Sequence, residues 1–169
     1  LELDSSMGDA YWQRGVLLAN RGQVADAITD LMTALEKRPS RYEAHAALAG
    51  CYENQKNLTK AEAAYREAIK GNDKIADWHY RLGRLLDDKG DKKSALLELE
   101  KAVELGATKE PRPGWLGNAH LRLGELKEAA EPDKALGHYK EYLRLSPQDD
   151  AYRTDAEKAI ARLEARLKK

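Results

Sequence analysis

The feature that constrains this chain most is a period of 34 residues. Ala27, Ala61 and Ala95 are separated by it, as are Gly15, Ala49 and Gly83; Leu31, Tyr65 and Leu99; and Ala34, Ala68 and Ala102. Four columns agreeing on one spacing predict an array of similar units, each too small to bury its own apolar face. Within a unit the apolar spacing is helical. Ala27, Ile28, Leu31, Ala34 and Leu35 form one stripe of a 3.6-residue helix, and Ala95, Leu96, Leu99, Ala102 and Val103 repeat it. The preceding halves behave likewise, with His45, Leu48, Ala49 and Tyr52, then His79, Leu82, Gly83 and Leu86, on single faces.

Breaks predicted at Gly22, near Asn57 and at Gly90-Asp91 separate paired helices, and breaks at Pro39-Ser40 and Gly71-Asn72-Asp73 separate units. Ser40 followed by Glu43 has the form of a capping box. The small columns have a physical purpose. Two helices approach to about 8–10 Å only where the crossing residues are small. Gly15 with Ala27, Ala49 with Ala61 and Gly83 with Ala95 supply such crossings.

This order of residues resembles the tetratricopeptide repeat (TPR), a family of stacked helix–turn–helix units. His45, Leu48, Ala49, Tyr52, Ala61, Tyr65 and Ala68 follow its motif, as do His79, Leu82, Gly83, Leu86, Ala95, Leu99 and Ala102. Arg14 departs from the expected leucine, and the terminal proline is kept only at Pro39 and Pro147. A fourth unit repeats His79, Leu82 and Gly83 as His120, Leu123 and Gly124, and continues with Ala135, Tyr139 and Pro147. About seven residues are inserted before it, and one is missing near Glu131-Pro132. Lys127 and Tyr142 stand where the family has an aromatic and a small residue, so looser packing is expected there.

The resemblance implies an all-α fold, a right-handed α-α superhelix (TPR solenoid) with a C-terminal capping helix. The segmentation runs 1–7, tail of a preceding repeat; 8–41, 42–75 and 76–109, the first three units; 110–116, a Pro-rich insert; 117–149, the fourth unit; and 150–169, the cap. The insert Glu110-Pro111-Arg112-Pro113-Gly114-Trp115 cannot be helical throughout. In the cap, Tyr152, Ala156, Ala159, Ile160, Leu163 and Leu167 share one face. Leu1 to Met7 aligns one period before Leu35 to Arg41, so the chain reads as an excised part of a longer array. No basic-then-apolar leader opens it.

Chemistry is sparse. The 29 basic and 29 acidic side chains cancel, which argues against a nucleic-acid footprint. A single cysteine, Cys51, excludes an internal disulfide framework; it fits a reducing cytoplasm without identifying the compartment. His45, His79 and His120 recur once per unit, too widely spaced to share a metal, and His138 has no evident partner. Asp87-Asp88 and Asp149-Asp150 read as solvated charges. With no phosphate loop or nucleophile motif, the reading is no enzyme and no cofactor.

What remains is shape. By resemblance, the residues just off the core stripe line a concave groove: Trp12, Gln13, Val16 and Asn20; Ala46, Ala47, Gly50 and Asn54; Tyr80, Arg81, Arg84 and Asp88; and Leu121, Arg122 and Glu125. A peptide or helical segment of another protein is the expected ligand, with no nucleic acid and no membrane insertion. Chaperone-binding TPRs clamp a C-terminal carboxylate. The corresponding places here hold Trp12, Val16, Ala47, Asp77 and Arg81, of which only Arg81 suits an anion, so that mode is rejected. Two alternatives stay open. The insert, with Arg112 and Trp115, is an edge for a globular partner such as a small GTPase, or the array is a structural spacer. Trp115 equally suits a cover over the start of the fourth unit.

Overall fold

In a computed structural model that describes residues 2–168, the described residues form α-helices joined by turns, with no strand among them. The helices are α1 (Glu2–Asn20), α2 (Val24–Lys37), α3 (Tyr42–Asn54), α4 (Leu58–Gly71), α5 (Ala76–Asp88), α6 (Lys92–Ala107), α7 (Leu116–Lys127), α8 (Pro132–Leu145) and α9 (Arg153–Leu167). They fall into two compact bodies, Leu1–Trp78 and His79–Lys169. In the N-terminal body α1 packs on α2, α2 on α3 and α3 on α4; in the C-terminal body α6 packs on α7, α7 on α8 and α8 on α9.

The turns within pairs share one construction. Gln23, Asn57 and Asp91 each donate a backbone N–H to the carbonyl five residues back, on Leu18, Tyr52 and Leu86. That closure needs a left-handed residue before the donor. Gly22 and Gly90 fill the place at φ 77° and 86°, but Lys56 does so at φ 58°. Only glycine adopts this conformation without a Cβ penalty. Lys56→Gly is therefore expected to raise stability by about 0.5–1 kcal/mol, read as a higher urea midpoint at unchanged m-value. The next helices are capped where the sequence offers a short acceptor: Asn57 Oδ1 accepts from Lys60 N and Asp91 Oδ1 from Ser94 N.

The small columns meet large neighbours as anticipated. A Cβ on Gly15 would lie 2.8 Å from Leu31 Cγ, one on Gly83 2.8 Å from Leu99 Cγ, and one on Gly124 2.9 Å from the Tyr139 ring. Ala27, Leu31, Ala34, Ala61, Tyr65, Ala68, Ala95, Leu99 and Ala102 are fully buried.

Several expectations change. Between the leading segment and the first unit there is no turn, since α1 runs unbroken from Glu2 to Asn20. The other junctions carry Pro39, Gly71-Asn72-Asp73 or Pro147, whereas Ser5-Ser6-Met7-Gly8 contains no proline to end a helix. Leu1, Lys169 and the side chains of residues 2–5 lie outside the described residues. Ser40 does not cap α3, whose N-cap is Arg41 without a side-chain hydrogen bond. Arg14, in place of leucine, makes a two-pronged pair with Asp30 at 2.5 and 2.7 Å. Lys127 is 4% exposed and Tyr142 fully buried, so neither loosens the fourth unit. In the cap, Ala156, Ala159 and Leu163 are buried, while Tyr152 and Leu167 are exposed.

Candidate functional site

The C-terminal body gathers several predicted groove residues around one cavity. Tyr80 of α5 faces Asn118, Leu121, Arg122 and Glu125 of α7, and Tyr152 closes the ring around about 310 Å³. The helical period explains the α7 set, because residues 118, 121, 122 and 125 share one face. Leu121 is more buried than expected of a groove residue, at 9% exposure. It belongs to a core cluster with Ala156, Ala159 and Leu163, because α9 supplies apolar surface beside it. Leu121 is thus floor rather than rim.

The insert joins this site. Trp115 stacks on Tyr80 with ring centroids 4.7 Å apart and planes 10° from parallel. Gly106 makes room for it, since a Cβ there would lie 2.8 Å from Trp115 Cη2. Trp115 also serves as N-cap residue of α7, so the insert both opens that helix and extends the aromatic wall. Arg112 is exposed and 3.9 Å from Glu110.

Electrostatics divide the lining. Arg122 Nη1 donates to Asp87 at 2.6 Å and Asp88 at 3.0 Å, and Lys92 donates to Asp87 at 2.6 Å. Asp87 is therefore a buried acceptor between two cations rather than a solvated charge. Burial pushes the Glu125 carboxyl upward, with the charges on Arg122 and Lys92 pulling it back and those on Asp87 and Glu128 pushing it further. With Arg122 committed to aspartates, Glu125 and the Asn118 amide stand beside two tyrosines among the groups that line the cavity.

The remaining predicted groove residues are dispersed. Trp12 is half-buried beneath the Arg41 guanidinium, 3.9 Å above its ring. Its Nε1 is buried without a hydrogen-bond partner among the described residues. Val16, Ala46, Ala47 and Gly50 are half-buried, Gln13, Asn20 and Asn54 exposed, and a Cβ on Gly50 would meet nothing. Arg81 and Asp88 are exposed, and Arg84 is half-buried.

His138 does acquire a partner: its Nδ1 lies 3.0 Å from Nδ1 of His120. Only one of those nitrogens carries the shared proton. Burial, then the charges on His120 and Lys127, hold His138 down to about 4 against Glu100 and Glu131; burial also lowers His120, with Glu141 opposing and Arg144 reinforcing. A histidine with a lowered folded pKa binds fewer protons folded than unfolded, so stability is lost as pH falls from about 6.5 toward 4. The expected loss between pH 7 and 5 is on the order of 1–2 kcal/mol, and His138→Gln should flatten it in urea titrations across that range. Among the described residues no three metal-ligating side chains are placed to share an ion. Cys51 is buried and its thiol pushed up by burial. No helix among the described residues is long and apolar enough to cross a membrane.

The profile of the tetratricopeptide repeat matches residues 13–74 and 61–110. This chain belongs to the tetratricopeptide repeat family. The TPR is a non-catalytic fold whose repeats mediate protein–protein interaction. Superkiller complex protein 3 is similar in sequence: the Mus musculus protein is 26% identical over 155 residues and the Homo sapiens protein 28% over 149, covering 88% and 84% of this chain. The chain spans 9% of the length of either relative. Among solved TPR structures, YrrB, described as having an unusual peptide-binding site, aligns with a TM-score of 0.77 at 21% identity over 94% of this chain and 76% of its own. PilF of Pseudomonas aeruginosa aligns with a TM-score of 0.69 at 23% identity, over 98% and 71%. The first TPR of Spaghetti, bound to the HSP90 peptide SRMEEVD, gives 0.64 at 18% identity, over 74% and 94%. These likenesses show the TPR fold.

The sequence missed Asn118 and Tyr152 as lining residues because Asn118 lies a turn before the groove positions carried onto α7 and Tyr152 was read as part of the cap's apolar face. The His120–His138 pair was legible in principle, since position 138 is the equivalent of Glu98, which binds His79 one unit earlier.

Proposed function

We propose that this chain is a protein-interaction module within a larger multi-protein assembly, and that the first-helix face of its C-terminal body captures a short extended or helical segment of a partner. The supporting observation is the cavity where Tyr80, Leu121, Arg122 and Glu125 converge beside the stacked Trp115. It suits an apolar side chain held between tyrosines, with a neighbouring donor directed at Glu125. The four-unit segmentation with an insert at 110–116 belongs to the same proposal.

Charge reversal at Arg122 is a poor test because it would set a carboxylate against Asp87 and Asp88. A photo-crosslinking residue at Asn118 and another at Gln13 separate the readings better. The expected result is capture of one discrete segment from Asn118, lost by about tenfold in affinity with Tyr80→Ala or Glu125→Lys. Equal capture from Gln13, or indifference to both substitutions, would sink it.

Edge docking of a globular partner is favoured by one observation: the insert's Trp115 lies on Tyr80, so edge and groove are continuous. Arg112→Glu alone distinguishes the two, weakening an edge-bound partner while sparing a segment held at Glu125. A spacer would respond to neither.

A further inference from the structure

One column of the repeat carries a cross-helix pair. The first-helix positions are Tyr11, His45, His79 and His120, and the second-helix positions are Asp30, Ala64, Glu98 and His138. Arg14, lying over Tyr11, binds Asp30; His79 binds Glu98 at 2.6 Å; and His120 meets His138 at 3.0 Å. His45 faces Ala64, and it makes no hydrogen bond among the described residues. Beside this pair of positions an open trough of about 540 Å³ runs over the N-terminal body. Met32 and Leu35 of α2, Leu48 and Tyr52 of α3, and Ala63 and Ala64 of α4 give it an apolar lining.

The trough is polarised. Consecutive helices run antiparallel, so α2 and α4 are parallel and end together. Glu36 and Glu67 stand at their carboxyl ends beside His45, whose imidazole feels the Glu67 charge while burial lowers it. Lys60 stands at the other end, over the Tyr52 ring at 5.5 Å. Both helix dipoles add negative potential at the glutamate end. From Lys60 to Glu67 is about 10 Å, or two helical turns.

We propose that this trough is a second docking site, taken by a partner's amphipathic helix running antiparallel to α2 and α4. The helix presents two large apolar side chains one turn apart, a basic residue toward Glu36 and Glu67, and an acidic residue toward Lys60. Volume and lining set the apolar anchors, and the charge order sets the direction. The trough is lined by α2, α3 and α4 of the N-terminal body and shares no lining residue with the Tyr80 site.

The test uses a fluorescent alanine-based helical peptide with two leucines one turn apart, lysine before them and glutamate after, titrated into the whole chain by anisotropy. Saturable binding is expected, about tenfold weaker for the peptide with its charges exchanged. Ala64→Glu gives His45 the partner that Glu98 gives His79 and should weaken binding by about tenfold with helix content retained. Ala63→Leu, at an exposed position, fills the trough without a charge and carries the test should Ala64→Glu unfold the body. The double variant Glu36→Lys with Glu67→Lys should prefer the exchanged peptide. No binding, equal affinity for the two peptides, indifference to both trough-filling variants, or loss with Tyr80→Ala instead would each overturn the proposal.

Discussion

Tyr142→Ala is expected to destabilise the C-terminal body by about 3–5 kcal/mol and to release α9. The ring is fully buried in a cluster with Ala156, Ala159 and Leu163. Its hydroxyl donates to Asp150, which also accepts from Tyr152 N at 2.9 Å, and burial with that carboxylate pushes the phenol up to about 12. The chain's approach to α9 is thus organised by one side chain. Arg153 adds hydrogen bonds to the carbonyls of Leu143 at 2.8 Å and Ser146 at 3.2 Å, but these hold only the first turn of the helix. Urea unfolding gives the loss in stability, and limited proteolysis after Arg162 and Arg166 reports release of α9. Tyr142→Phe keeps the ring and leaves Asp150 half-satisfied, so it should cost about 1–2 kcal/mol. A loss below about 1 kcal/mol for the alanine variant, with α9 still protected, would mean that α9 is held by other contacts.

The same residue shows what the sequence made legible and what it did not. The helix pairs, their turns and their crossings were readable because a period of 34 projects equivalent residues onto equivalent packing sites. Glycine and alanine columns have one common physical cause, the close approach of two helices, so they survive as pattern. Departures from the pattern were harder, because each is resolved by a neighbour that is distant in sequence. Tyr142 occupies a place that is alanine at positions 34, 68 and 102, and it fits because α9 follows it. Arg14 looked like a lost core leucine, yet Asp30 takes its guanidinium. Asp87 looked solvated until Arg122, from α7, was placed against it.

The candidate site divides along the same line. Tyr80, Leu121, Arg122 and Glu125 were found by resemblance to the family, which says which face is the groove, while helical phase says which residues share it. The stacking of Trp115 on Tyr80 depends on the path of a Pro-rich insert that has no period, and Tyr152 arrives from the turn before α9. The trough at His45 needed a different comparison, of polar pairs across helices rather than of apolar columns.

Lys127 supplies the second large effect. Its ammonium is 4% exposed and contacts Glu100 at 2.6 Å and Glu131 at 2.8 Å, where the family has an aromatic. Burial works against the charge, but the two carboxylates outweigh it and the ammonium is held above its ordinary range. Lys127→Ala removes the charge together with the stem's packing, at an expected cost of about 3 kcal/mol. Lys127→Met retains the stem, and because both glutamates can turn to water it should cost only about 1 kcal/mol. The two variants therefore separate packing from charge. Acid titration separates them from the wild type as well. Lys127, then Lys134, holds Glu131 down to about 2, so its contribution is present above the unfolded value near 4.5 and lost as pH falls toward 2. In either variant the Glu131 carboxyl should titrate closer to its unfolded value, followed by side-chain carbon shifts. If Glu131 keeps its low value without Lys127, then Lys134 alone sustains it, and the buried lysine's role is packing.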